Sequence, residues 1–295
     1  MKNTIFTGAA TAIVTPLNEQ GVDYESFARL IDWQIDEGID AIVVAGTTGE
    51  GSTLTDEEHK AVIKFCVKKV AGRVPVIAGT GSNDIAYAVS LTKYACEVGA
   101  DAMLLVTPYY NKATQNGLIK SFTAVADAST KPCILYNVPS RTGCNIKPET
   151  CAVLAKHPNI VAIKEASGDI SQVAEISRLC GDDLDIYSGN DDQIIPVMSL
   201  GGKGVISVLS NLLPRETSAM CHSFLNGDVK NARDMQLEYL PLISSLFCEV
   251  NPIPVKAAVS AMGYGDNYLR LPLTPMEKSH EEKLIANMRN SGVKF

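Results

Sequence analysis

The sequence predicts an α/β fold, a (β/α)₈ TIM barrel with an all-helical C-terminal extension, and three observations carry that expectation. Short β-branched runs alternate with longer amphipathic stretches eight times along the chain. Most of these runs are apolar throughout, as parallel strands buried on both faces are. No G-x-G-x-x-G follows the first run, which counts against a doubly wound open sheet, the other architecture that βα alternation allows.

The strand-like runs are Ala10–Thr15, Ala41–Ala45, Val74–Ala78, Ala102–Val106, Cys133–Asn137, Ile160–Ile163, Asp185–Ser188 and Gly204–Val208. Each leads into a helix-like segment that opens on a cap or turn residue. Thr55-Asp56-Glu57-Glu58 has the form of a capping box between Thr55 and Glu58. Ser82-Asn83-Asp84 opens a helix over Ile85–Val98 that stops at Gly99. After the eighth run a helix over Pro214–Leu225 ends at Asn226-Gly227-Asp228, and no further strand-like run has a parallel partner. The remainder reads as helices over Val229–Phe247, Pro254–Met262 and Pro275–Ser291. Residues 1–226 are therefore expected to form the barrel and residues 227–295 a helical domain, for which no catalytic role is expected.

Bulk properties narrow the function classes. The chain has 295 residues, 46% of them hydrophobic, enough for a full core. A formal net charge of −7, with no basic stripe to neutralise phosphates, argues against a nucleic-acid partner. No run of apolar residues is long enough to span a membrane, and the N-terminus lacks the apolar core of a signal peptide. Eight cysteines without a C-x-x-C pair read as reduced, mostly buried thiols of a cytoplasmic protein. His59, His157, His222 and His280 are too scattered for H-x-x-x-H or H-E-x-x-H, so no metal site is expected.

In a barrel of this kind the reactive side chains gather at the C-terminal ends of the strands. Lys164 directly follows the sixth run. Burial disfavours the ammonium form, so a lysine at the inner end of such a strand is available as an amine nucleophile for a carbonyl. A lone lysine after an apolar run snorkels to solvent more often than it reacts, and the residues at the other strand ends change that balance. Glycines bracket Thr47 and Thr48 in Gly46-Thr47-Thr48-Gly49-Glu50, a loop that can turn backbone N–H groups toward a carboxylate. Tyr136, closing the fifth run, has a phenol suited to general acid–base work beside an imine, and the hydroxyls of Thr47 and Tyr110 can extend a proton relay. Arg141, in the loop after Tyr136, is placed for a bidentate grip on a carboxylate. Gly189 and Ile206 stand at the ends of the seventh and eighth strands.

Gly46-Thr47-Thr48-Gly49-Glu50, Pro108-Tyr109-Tyr110-Asn111, Tyr136-Asn137-Val138-Pro139-Ser140-Arg141-Thr142-Gly143 and Ile163-Lys164-Glu165-Ala166-Ser167-Gly168 together resemble, in order and spacing, the signatures of the dihydrodipicolinate synthases. These are pyruvate-dependent class I aldolases of the superfamily that includes N-acetylneuraminate lyase. The resemblance implies that Lys164 forms a Schiff base with pyruvate and that Tyr136, Thr47 and Tyr110 move protons. It implies that Thr48, Ile206 and Gly189 bind substrate, and that Arg141 grips the carboxylate of L-aspartate 4-semialdehyde. It also implies no cofactor beyond the covalently held substrate. Tyr110 would be supplied by a neighbouring subunit, so the enzyme would be at least a dimer and commonly a tetramer.

Sugar-acid lyases and 2-keto-3-deoxy sugar acid aldolases of the superfamily are the alternative. They commonly carry Gly-Ser-Thr-Gly-Glu where this chain has Gly46-Thr47-Thr48-Gly49-Glu50, and they lack the arginine found here as Arg141. A non-catalytic barrel that senses a keto acid is disfavoured because nucleophile, relay and clamp are all retained. Asn83, His59 and Tyr109 resemble residues with which lysine-regulated members bind their end product. Tyr87 stands where those members have a carboxylate, and Asp56 where they have a histidine. The resemblance therefore implies weak or absent inhibition by L-lysine.

Overall fold

The computed structural model describes residues 2–295. β1 (Gly8–Ala12) is followed by a short ribbon of β2 (Leu17–Asn18) and β3 (Gly21–Val22), then by α1 (Tyr24–Asp36). β4 (Ala41–Val44), α2 (Asp56–Val70), β5 (Val76–Gly79), α3 (Ile85–Glu97), β6 (Ala102–Val106), α4 (Gln115–Asp127) and β7 (Cys133–Asn137) continue the alternation. Two short helices, α5 (Pro139–Thr142) and α6 (Pro148–Leu154), precede β8 (Ile160–Glu165) and α7 (Ile170–Cys180). β9 (Asp185–Ser188), α8 (Ile194–Ser199), β10 (Gly204–Ser207) and α9 (Pro214–Leu225) complete the barrel, and α10 (Val229–Leu246), α11 (Ile253–Ala261) and α12 (Lys278–Asn290) form the extension.

Eight parallel strands close in the order β1-β10-β9-β8-β7-β6-β5-β4, with β1 paired to both β4 and β10. The expected (β/α)₈ barrel with a helical C-terminal region is therefore the observed architecture. Period-two alternation sorts the strand residues. Ala10, Ala41, Ala102, Ile134, Ala162 and Ile206 fill the interior, while Ile42, Leu105, Leu135, Ile163 and Val205 pack outward on the helices. Along β8 the interior set continues from Ala162 to Lys164.

Local chemistry explains the elements and where their ends differ from the expected bounds. The capping box is present: the Thr55 hydroxyl accepts from Glu58 N at 3.2 Å and Glu58 Oε2 accepts from Thr55 N at 2.9 Å. Asp84 caps α3 by accepting from Ala86 N and Tyr87 N. The first strand begins and ends earlier than Ala10–Thr15, because Val14 N leaves the ladder for the side chain of Asn211 at 3.1 Å. The third strand starts at Val76, since Pro75 has no N–H to give the ladder and only its carbonyl pairs, with Ile42 N. The second stops at Val44, and Ala45 follows with φ 55. The eighth stops at Ser207 because Val208 N turns to Asp191. The sixth runs two residues beyond Ile163, which makes Lys164 a strand residue and not the residue after one. The β2–β3 ribbon, two residues per strand, leaves no periodic signal and was not expected. All eight cysteines are free thiols, six of them buried.

Candidate active site

β7, β8 and β9 set Tyr136, Lys164 and Tyr187 in one register row. Lys164 is 6% exposed, and its ammonium lies 4.4 Å from the centroid of the Tyr136 ring. A cation over an aromatic face in a desolvated place is attractive, and the same contact sets the phenol next to the amine. Gly189 permits this packing. A Cβ there would meet Lys164 Cε at 3.1 Å and Ala166 Cβ at 2.6 Å, so any side chain would displace the lysine stem.

Above Tyr136 a cavity of about 510 Å³ opens, with Thr47, Leu104, Val106, Val138 and Arg141 among its walls. Thr47 and Thr48 lie in a tight turn in which Glu50 N donates to Thr47 O at 3.1 Å. Gly51 N donates to Gly46 O at 3.1 Å, and the Thr15 hydroxyl donates to Gly49 O at 2.7 Å. Thr48 is buried, and its hydroxyl accepts from Asn251 Nδ2 at 3.0 Å. Arg141 is exposed at the mouth. It sits in the single-turn helix α5, where a loop was expected. Pro139 at the first helical position presets the turn, Val138 O accepts from Arg141 N, and Gly143 at φ 65 ends it. Arg141 Nη2 donates to Asn251 O at 3.1 Å, which aims the guanidinium across the opening.

The structure thus gathers Lys164, Tyr136, Thr47, Thr48, Arg141 and Gly189 at one end of the barrel. Ile206 is fully buried on β10, on the interior face. Tyr110 is not brought in. It is 92% exposed with φ 69 and does not line the cavity of its own barrel.

Three residues at the site were given no role by the sequence reading. Asp191, after β9, is buried, and its Oδ2 accepts from Val208 N and Leu209 N at 2.9 Å each. Burial pushes its carboxyl pKa up, opposed by those amides and by the nearby Lys164. Asn251 bridges Thr48 and Arg141, as described. Lys256 on α11 is 2% exposed, ion-paired with Glu50, and donates to Thr15 O at 2.8 Å. Burial pushes the Lys256 pKa down, and Glu50 opposes that shift. The C-terminal segment, for which no catalytic part was expected, therefore touches the mouth through Asn251 and braces its loop through Lys256. Asn251 and Asp191 lie in no recognisable motif. Lys256 did carry a signal, a lysine inside the apolar run Ile253-Pro254-Val255-Lys256-Ala257-Ala258-Val259.

The family model for the dihydrodipicolinate synthetase family matches residues 5–291. A 4-hydroxy-tetrahydrodipicolinate synthase of Lachnoclostridium phytofermentans is 58% identical over 291 residues, 98% of this chain and 99% of that one. The dihydrodipicolinate synthase of Acinetobacter baumannii, solved in complex with pyruvate, superposes with a TM-score of 0.96 at 44% identity, covering 99% of this chain and 100% of that one. A relative from Cyanidioschyzon merolae, solved with lysine bound, gives a TM-score of 0.95 at 41% identity, again over 99% and 100% of the two chains.

Proposed function

The chain belongs to the dihydrodipicolinate synthetase family, and from that premise we propose how its residues join pyruvate to L-aspartate 4-semialdehyde to make 4-hydroxy-tetrahydrodipicolinate, a lyase reaction of the class I aldolase type that opens the diaminopimelate route to lysine. The observation that carries this reading is the buried Lys164 amine facing the Tyr136 ring at 4.4 Å.

The Lys164 amine attacks the pyruvate ketone, and loss of water leaves a protonated imine. A methyl proton departs to give an enamine, whose carbon adds to the aldehyde of the semialdehyde. The amine of that second substrate then closes the ring on the imine carbon and displaces Lys164. Tyr136 carries protons on and off these intermediates, with Thr47 and the exposed Tyr110 as its relay. Thr48, in its glycine-flanked turn, Ile206 and Gly189 seat pyruvate, and enclosure excludes water that competes for the imine. No cofactor beyond the covalent substrate enters these steps. Tyr110 acts in the site of a second copy, and the enzyme works as a homo-oligomer, at least a dimer and commonly a tetramer, in the cytoplasm. No helix among the described residues is long and apolar enough to cross a membrane.

Arg141 selects the second substrate. Steady-state assays are expected to show turnover with aspartate semialdehyde and none with N-acetylmannosamine. Arg141→Ala is expected to lower kcat/KM for the semialdehyde by about 100-fold, the scale of a lost charge-assisted pair, with pyruvate KM within about twofold of native. Equal losses for both substrates would contradict the assignment.

L-lysine is expected to inhibit weakly or not at all. Burial and the adjacent Asp56 carboxylate push the Tyr87 phenol up to about 12, so at neutral pH it offers no charge to an ammonium ligand. Asp56 is already paired with Lys60 at 2.7 Å. Titration of L-lysine into the assay checks this, and inhibition in the sub-millimolar range would sink it.

A further inference from the structure

Glu50 is a non-glycine residue in left-handed backbone, at φ 53. Glycine adopts that conformation without steric cost, whereas a side chain there is strained. A glutamate kept at such a point is explained when its carboxylate is used. It is used inward: the Glu50 side chain is 1% exposed and paired with Lys256 Nζ, and Oε2 accepts from Arg270 N at 3.3 Å. Glu50 also closes the turn that presents Thr48, through the bond from its own N–H to Thr47 O.

The partner grips the other side of the same turn. Lys256 Nζ donates to Thr15 O at 2.8 Å, and the Thr15 hydroxyl donates to Gly49 O at 2.7 Å. One ammonium from α11 therefore ties together Thr15, in the segment after β1, and the closing residue of the turn. Taking two charges out of water often costs about as much as their attraction returns, and a well-packed apolar pair is often at least as stable. Stability alone leaves this pair unexplained.

We propose that Lys256 and Glu50 are a positioning pair for catalysis, holding the Thr47–Thr48 turn in the shape that receives the carboxylate of the keto acid. Neither touches substrate. The inference rests on the function proposed above, because it assigns the turn to pyruvate. It makes α11 a support of the pyruvate subsite, through the Lys256 contacts with Glu50 and Thr15.

The test compares Glu50→Gln, Lys256→Met and the double variant by steady-state kinetics and thermal unfolding. Each single variant is expected to raise pyruvate KM about tenfold or more and, because the same turn carries Thr47, to lower kcat as well, while semialdehyde KM stays within about twofold. The double variant leaves no unpaired buried charge, so its Tm recovers toward native while its pyruvate KM stays high. The double variant therefore carries the test should a single variant not fold. Pyruvate KM within about twofold of native in any folded variant, or a double variant in which KM recovers with Tm, would overturn the inference. A native chain that forms no product would instead overturn the proposed function, and this inference with it.

Discussion

Replacing Lys164 with alanine is expected to cut kcat by a factor on the order of 10⁴ or more, about 5 kcal/mol of transition-state free energy, while leaving the barrel folded. The covalent route depends on one amine, and no other side chain shares the position. Lys164 lies on the interior face of β8, between register partners Tyr136 and Tyr187. Removing it deletes a buried polar head group as well as a nucleophile, so the desolvation relieved offsets the packing lost. Thermal unfolding is therefore expected to change little. A variant that retained a tenth of native turnover would show that the chemistry does not pass through this lysine.

Tyr136→Phe is the second large effect. The ring stays, so the contact with Lys164 and the packing against the interior are preserved, and only the phenolic proton is lost. General acid–base catalysis contributes about 10²–10⁴-fold, and kcat is expected to fall by that factor while pyruvate still forms a trappable adduct more slowly. Activity within about tenfold of native would mean that Tyr136 only packs against the lysine.

How much of this was legible in the sequence depended on whether the signal was local. The eight parallel strands were readable because doubly buried strands are apolar along their length. Three of them, Ala102–Val106, Cys133–Asn137 and Asp185–Ser188, have the expected bounds. Elsewhere the ends moved where a residue distant in sequence took over a backbone group, as Asn211 does for Val14 and Asp191 for Val208. No local pattern announces such a substitution. Lys164 and Lys256 make the sharpest contrast. Both sit in apolar runs and both are buried, yet only Lys164 was singled out, because its neighbours fell into motifs at strand ends. Lys256 belongs to a segment that parallel pairing does not organise, and its partner Glu50 lies 206 positions away in the chain. Arg141 was found by type and place, while the helical turn that holds it and the Asn251 carbonyl that aims it became visible only in three dimensions. Tyr110 was assigned to a neighbouring subunit on the strength of a resemblance alone, and in its own chain it is 92% exposed.

The native chain, incubated with pyruvate and then reduced with borohydride, tests the central claim most directly. The account predicts one stable adduct with the mass of a reduced pyruvyl group, mapped by peptide sequencing to Lys164 and absent from Lys164→Ala. No adduct on the native chain, or an adduct carried by the other buried lysine, Lys256, would contradict it.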